Sequence, residues 1–301
     1  SAQITALNVQ DLTTTQIAGL SSSVIGAIGP TKFSAWTATQ VSALNATQIK
    51  GLTTSQLSAL TPTDIGELAD TQVAALTATQ LGALSATGFS TLDATQVAAL
   101  STTQVKGLTA TQLKGLTTTD IAELSDTQVA ALTATQLGAL TATGFSALDA
   151  TQLAALSTTQ IKGLTADQLK GLSATDIGEF STTQVQALTA DQLKNLSATN
   201  VSALVGTQVA ALSNTQIQSL SATQLKGLSV TDIDELSATQ IGALSTAQIA
   251  TLADTQVAEL STTQLGGLTA TQLGSLSNTA LKALNTTQMQ ALSATQIKGL
   301  T

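Results

Sequence analysis

The sequence predicts an all-α repeat solenoid built from very short helices, one for every eight residues. Three observations carry this. A single phrase, [Ser/Thr]-x-Thr-Gln-[Ile/Leu/Val]-x-[Ala/Gly]-Leu, runs in unbroken register from Thr5 to Leu300, giving 37 copies. Each copy opens with helix-capping chemistry. Both prolines, Pro30 and Pro62, fall at the second position of the phrase, where a helix tolerates them.

The apolar positions come first. Position 5 is apolar in every copy, from Val9 and Ile17 onward, and position 8 is leucine except at Ile28, Trp36 and Phe180. Their spacing alternates between three and five residues. Strand alternation puts positions 5 and 8 on opposite faces. One continuous helix, at about 100° per residue, drifts by about 80° per octad, and no straight apolar stripe survives. Each octad therefore needs its own short element and its own turn.

The polar positions select the element. Position 1 is Ser, Thr, Asp or Asn except at Gly29, Ala69, Val205 and Ala253, and position 4 is mostly Gln. Ser/Thr-x-x-Gln is a capping box, in which the first side chain accepts from a backbone N–H three residues on and the Gln reaches back. Proline at position 2 also holds the preceding residue away from helical angles, as an N-cap requires. Glycine is frequent at position 7, where the helix must stop and where backbones have room to approach. The helix is expected over positions 2 to 7 or 8. So short a helix does not stand alone in water, and its two apolar side chains are sheltered only by neighbouring coils. Position 6 holds nine of the ten lysines and should face solvent; Lys32, at position 4, is the exception. A β-solenoid is the competing architecture, since Thr, Val and Ile favour strands. The abundant Ala, Leu and Gln and the proline placement weigh against it.

A longer beat overlies the octad. Asp64, Asp120, Asp176 and Asp232 replace the position-4 Gln once in every seven octads, and Glu67, Glu123, Glu179 and Glu235 follow three positions after them. The pairs Gly88-Phe89 and Gly144-Phe145, and the lysines Lys114, Lys170 and Lys226, keep the same interval. Seven octads thus form a 56-residue super-repeat. Tandem duplication explains this, and so does a solenoid in which seven octads close a whole number of turns. The segment Ser21 to Trp36 is the least regular and holds the only tryptophan; it reads as a drifted copy, with a local bend or contact site as the alternative. No linker interrupts residues 1–301, which read as one continuous array, either part of a longer one or a subunit that polymerises head to tail.

Composition argues against several functions. Histidine, cysteine, tyrosine and arginine are absent, so the usual general bases, thiol nucleophiles and zinc ligands are missing, and the chain reads as a non-enzyme. Eighteen acids against ten lysines leave a net charge of −8, a poor match to nucleic acid. No apolar run has the length of a membrane span. The acidic sets Asp64, Glu67, Asp70 and Asp120, Glu123, Asp126, with the denser Asp232, Asp234, Glu235, are the sharpest polar signal. Grouped carboxylates are candidate calcium ligands, although Asp at the third helical position also suits the positive helix end and the others suit solvent. Ser/Thr-x-Thr recurs every eight residues, and regular Thr-x-Thr arrays resemble those of ice-binding solenoids, although capping uses position 1 and position 3 also reads as merely small and polar. Sequons occur at Asn45, Asn195, Asn200 and Asn285, as expected by chance in so Thr-rich a chain.

The phrases LTATQLGAL, LSTTQIKGL and LTADQLKGL resemble the octapeptide arrays of large secreted proteobacterial proteins labelled adhesin-like or haem-utilisation-like. The resemblance covers essentially the whole chain. It implies an extracellular or cell-surface role as a fibre, filament, coat or adhesin stalk, with self-association or neighbouring repeats as partners. It gives no support to haem: histidine is absent and Met289 is the single methionine. Ice or calcium binding on the same scaffold is the alternative.

Overall fold

The computed structural model describes residues 8–300. The opening residues of the first octad, Thr5 to Leu7, lie outside them. Among the described residues there are 36 short α-helices, preceded by a 3-10 turn at Val9–Asp11, and no strand. The β-solenoid is therefore not the architecture.

Each helix starts where the phrase says it should. In Ala110–Gly115, Thr109 is the N-cap, with extended angles (φ −82°, ψ 156°), and its side chain accepts from the Gln112 backbone N–H. Pro62 begins Pro62–Gly66 and Pro30 begins Pro30–Phe33, both at the first helical residue. Helices stop at position 5, 6 or 7, as in Thr102–Val105, Thr14–Ala18 and Ala110–Gly115. The position-8 leucine is outside the helix: Leu116 is extended (φ −64°, ψ 137°). Two consecutive extended residues, positions 8 and 1, thus join each helix to the next.

Glycine at position 7 does not work as a left-handed stop, because no described residue has positive φ. It works by close approach. A Cβ on Gly107 would lie 2.6 Å from the Ala78 carbonyl oxygen and 2.7 Å from the Ala78 Cβ, and one on Gly51 would meet Ser22 in the same way. Position 7 of one octad is pressed against position 2 of an octad in the preceding turn.

That contact defines the winding. Helix Ala110–Gly115 packs against Ala86–Phe89, three octads back, and against Ala134–Ala139, three octads on. The side chain of Gln112, however, bonds to Leu81 and Leu84, four octads back. An octad therefore sits above the junction of two octads of the preceding turn. Gln112 reaches Leu84 and Leu81 at sequence separations of 28 and 31, and the Gly82–Gly107 and Gly107–Ala78 approaches stand at separations of 25 and 29. A turn takes about 28 residues, three and a half octads, so the 56-residue super-repeat closes two whole turns.

Contacts divide the chain into two compact units, Ser1–Ala155 and Leu156–Thr301. The second is wound by the same rules: Ala222–Gly227 packs on Ala198–Ser202, while Gln224 reaches Leu193 and Leu196. In both units the core is the two apolar positions. Position 5 is almost completely covered, from Val9 to Leu273, and the position-8 side chains from Ile28 to Leu292 are buried beside it. Removing this much apolar surface from water is the main stabilising force. The position-6 lysines Lys50, Lys106 and Lys114 are exposed, as expected. The irregular segment stays within the winding: Phe33 and Trp36 are buried with ring centroids 5.2 Å apart, and Trp36 Nε1 donates to the Val9 carbonyl at 3.1 Å.

Candidate functional site

The most organised polar feature is a column system of buried glutamine amides. Gln56 is fully buried. Its Oε1 accepts from the Thr53 N–H at 2.8 Å and from Thr53 Oγ1 at 3.0 Å, completing the cap. Its Nε2 donates to the carbonyls of Ile25 at 2.8 Å and Ile28 at 2.9 Å, one turn earlier. One amide thus starts its own helix and ends another, adding a second donor to the Ile25 carbonyl, which also accepts from the Ile28 N–H at 3.1 Å, and supplying a donor to the Ile28 carbonyl beyond the helix end. Gln72, Gln80, Gln128, Gln240 and Gln264 repeat the pattern. Sequence reasoning assigned these glutamines only half of this role. The missed signal was the absence of glutamate: a capping box accepts Glu or Gln, yet position 4 is never Glu. Glutamate cannot donate to the preceding turn.

Where Asp replaces Gln, the donor comes from elsewhere. Asp120 Oδ2 accepts from the Thr117 N–H at 2.7 Å, keeping the cap, and from Ser90 Oγ at 2.5 Å. Asp232 does the same with Ser229 N–H and Ser202 Oγ. Each serine stands about one turn before its aspartate, at a sequence separation of 30. The Gly88-Phe89 pair has a packing reason: a Cβ on Gly88 would run into the Ile65 side chain, while Phe89 fills the core; at Gly144 the near neighbour of a Cβ is instead its own N-cap oxygen, Thr141 Oγ1, at 3.1 Å.

The acidic sets read from local spacing are placed differently in space. Asp64 and Asp120 cap their helices and are half-buried, and Asp232 is buried in the same role. Glu67, Asp70, Asp126 and Asp234 are exposed. Glu123 and Glu235 are half-buried, and Glu123 Oε2 is a covered oxygen without a hydrogen-bond partner. Burial, then Asp120 and then Asp93, push the Glu123 carboxyl above its ordinary range; burial, Asp232 and Asp234 do so for Glu235. Asp93 stands about one turn before Glu123, a neighbour that only the winding reveals. Among the described residues no group of three or more carboxylates is gathered so as to hold a metal ion.

The position-3 residues are exposed in every described octad. They follow each octad around the turn rather than collecting on one side. The four sequon asparagines are engaged locally or across one turn: Asn45 and Asn285 cap helices, Asn195 Nδ2 donates to Asp191, and Asn200 is buried with Nδ2 donating to Leu172.

Fold and site together define the chain as an α-helical repeat solenoid held by amide crosslinks between turns. No protein-family model matches the chain, and no curated protein sequence matches it. Among solved structures the chain is similar to the leucine-rich repeat-containing protein LegL7 from Legionella pneumophila, at 12% identity over 96% of this chain and 90% of that one, with a TM-score of 0.18. A likeness at that score carries no argument about this protein. No helix among the described residues is long and apolar enough to cross a membrane.

Proposed function

We propose that this chain is a non-enzymatic structural protein, a solenoid segment of an extracellular fibre, coat or adhesin stalk that grows by stacking further turns of its own kind. One observation supports this above the others: the same seam recurs at turn after turn, with position-5 side chains from Val9 to Leu273 at most 4% exposed and glutamine amides such as Gln56, Gln112 and Gln224 bonded to the turn before. Repetition of one seam suits an elongated structural element whose stability comes from neighbouring turns. Electron microscopy and light scattering of the full chain test it: extended particles are expected, and compact spherical particles would overturn the reading.

A second reading rests on position 3. It is Thr in 31 of 37 copies although exposed in every described octad, whereas position 1, which needs only an oxygen, uses Ser and Thr freely. A preference for methyl plus hydroxyl on the surface fits ordering of water, as in ice binding. Thermal hysteresis of the purified chain tests it, and a freezing point equal to the melting point rejects it.

A further inference from the structure

The octads without a glutamine amide are not scattered. Between Gln40 and Gln272, position 4 departs from glutamine at seven octads: Asp64, Gly88, Asp120, Gly144, Asp176, Asn200 and Asp232. Successive departures stand alternately 24 and 32 residues apart, four residues short of or beyond one 28-residue turn. In the first unit Asp64, Gly88, Asp120 and Gly144 therefore follow one narrow line from turn to turn, and in the second Asp176, Asn200 and Asp232 do the same. The remaining octads of this stretch all keep their glutamine. There Gln80, Gln112 and Gln240 each donate twice to the turn before.

Fewer directional bonds bridge the turns along this amide-poor column. Gly88 and Gly144 have no side chain to donate to the Leu60 and Leu116 carbonyls, 28 residues before them. Asp120 and Asp232 carry no donor; each instead accepts from a serine of the turn before, Ser90 Oγ at 2.5 Å and Ser202 Oγ at 2.7 Å. Asn200 Nδ2 donates to Leu172 at 2.9 Å and, at a longer 3.4 Å, to Ser173. Thr91 Oγ1 adds a bond to the Pro62 carbonyl at 3.1 Å. Like charges also meet here: Glu123, raised by burial and then by Asp120 and Asp93, faces Asp93 of the turn before across the packed helices Ala94–Ala98 and Thr118–Glu123. Apolar packing remains, with Phe89 and Phe145 buried, but that force is non-directional.

We infer that each unit opens along this column: neighbouring turns part on one flank while the glutamine crosslinks hold the others, so the wound chain gapes before it unravels. Parts of a fold open locally, each with its own free energy, and those with fewer interactions open first. The glycine-bearing turns part most readily, since Asp120, Asn200 and Asp232 still bridge to a neighbour. Parting exposes the short helices at the column, and a helix of this length does not persist in water without a neighbour. The inference concerns the winding alone and does not rest on the structural role proposed above.

Hydrogen exchange of the full chain near neutral pH tests this at the position-5 amides. The Phe89 and Phe145 N–H groups donate to the Ser85 and Thr141 carbonyls at 2.8 Å, and those of Leu81 and Leu137 donate to Thr77 and Thr133 at 2.9 and 2.8 Å. Their own bonds are matched, so after correction for intrinsic rates the difference reads the parting of turns. Phe89 and Phe145 should exchange about thirtyfold faster, the worth of two crosslinking bonds. Asn200→Gln and Asn200→Ala then set the crosslink at one place in the second unit, and circular dichroism checks that both fold. The Val201 N–H, beside the substitution, and the Leu169 N–H, in the turn before, should both exchange about thirtyfold faster in the alanine variant than in the glutamine variant. A helix that merely frays by itself moves Val201 alone. Wild-type Phe89 and Phe145 exchanging as slowly as Leu81 and Leu137 would overturn the proposal. So would a difference between the variants that is confined to Val201 or absent from both amides.

Discussion

Replacing Gln112 by glutamate is the sharpest test of the amide crosslink. Gln112 is 1% exposed and donates to Leu81 at 2.9 Å and Leu84 at 3.0 Å, while Oε1 accepts from the Thr109 N–H at 2.9 Å. Glutamate keeps the shape and the accepted bond. It loses both donated bonds, about 1 kcal/mol each, and points an anionic oxygen at two buried carbonyls. The total cost should reach about 3–5 kcal/mol near neutral pH. The sign of its pH dependence follows. Burial and the facing carbonyls favour the protonated acid, which donates one bond, so the folded-state pKa of the introduced carboxyl lies above its unfolded value. The deficit is therefore smallest below the unfolded pKa and grows as pH rises through the folded one. Urea unfolding followed by circular dichroism measures it, and amide exchange across residues 77–116 shows whether the loss stays within adjacent turns. A variant within about 0.5 kcal/mol of wild type at pH 8, which is the usual range for surface changes, would refute the crosslink. So would a deficit that ignores pH.

Other expectations follow from the same geometry. Gly107→Ala should destabilise by about 1–3 kcal/mol through overpacking against Ala78, whereas Gly178→Ala, whose Cβ meets nothing within 4 Å, should stabilise by about 0.5–1 kcal/mol through helix propensity; thermal melts compare the two. Thr109→Ala should cost about 1 kcal/mol, the worth of an N-cap, in the same assay. Glu123 is raised chiefly by burial, so its contribution is present below the unfolded pKa and is lost as pH rises through the folded one. Glu123→Gln should accordingly stabilise the chain at neutral pH and flatten that part of the stability profile, which pH-dependent unfolding reads. Asp149 runs the other way: Thr151 and the Gln152 N–H lower its pKa, so its contribution is present above the unfolded value and is lost as pH falls through the folded one.

Much of the fold was legible because it is local. Thr109 and Gln112 announce a helix start within four residues, and Pro30 and Pro62 mark its first residue. The length of the turn was not, because Gly107 meeting Ala78 and Gln112 reaching Leu81 are tertiary contacts that no octad contains. The acidic sets show the same limit. Adjacency along the chain linked Glu123 to Asp126, whereas the winding links it to Asp93. A hint was present in the seven-octad spacing of Asp64 and Asp120, which halves to one turn only once the structure supplies the contacts.

Because seven phrases and two windings have the same length, the array has a gear ratio. Gain or loss of seven phrases by unequal recombination returns every amide to a waiting carbonyl and every serine to its aspartate. A slip of a single phrase would leave the amides matched, because each bonds the fourth phrase before its own, but would part Ser90 from Asp120 and Ser202 from Asp232. The gene can therefore lengthen or shorten its product in paired windings without redesigning any seam, and selection on reach is decoupled from selection on folding.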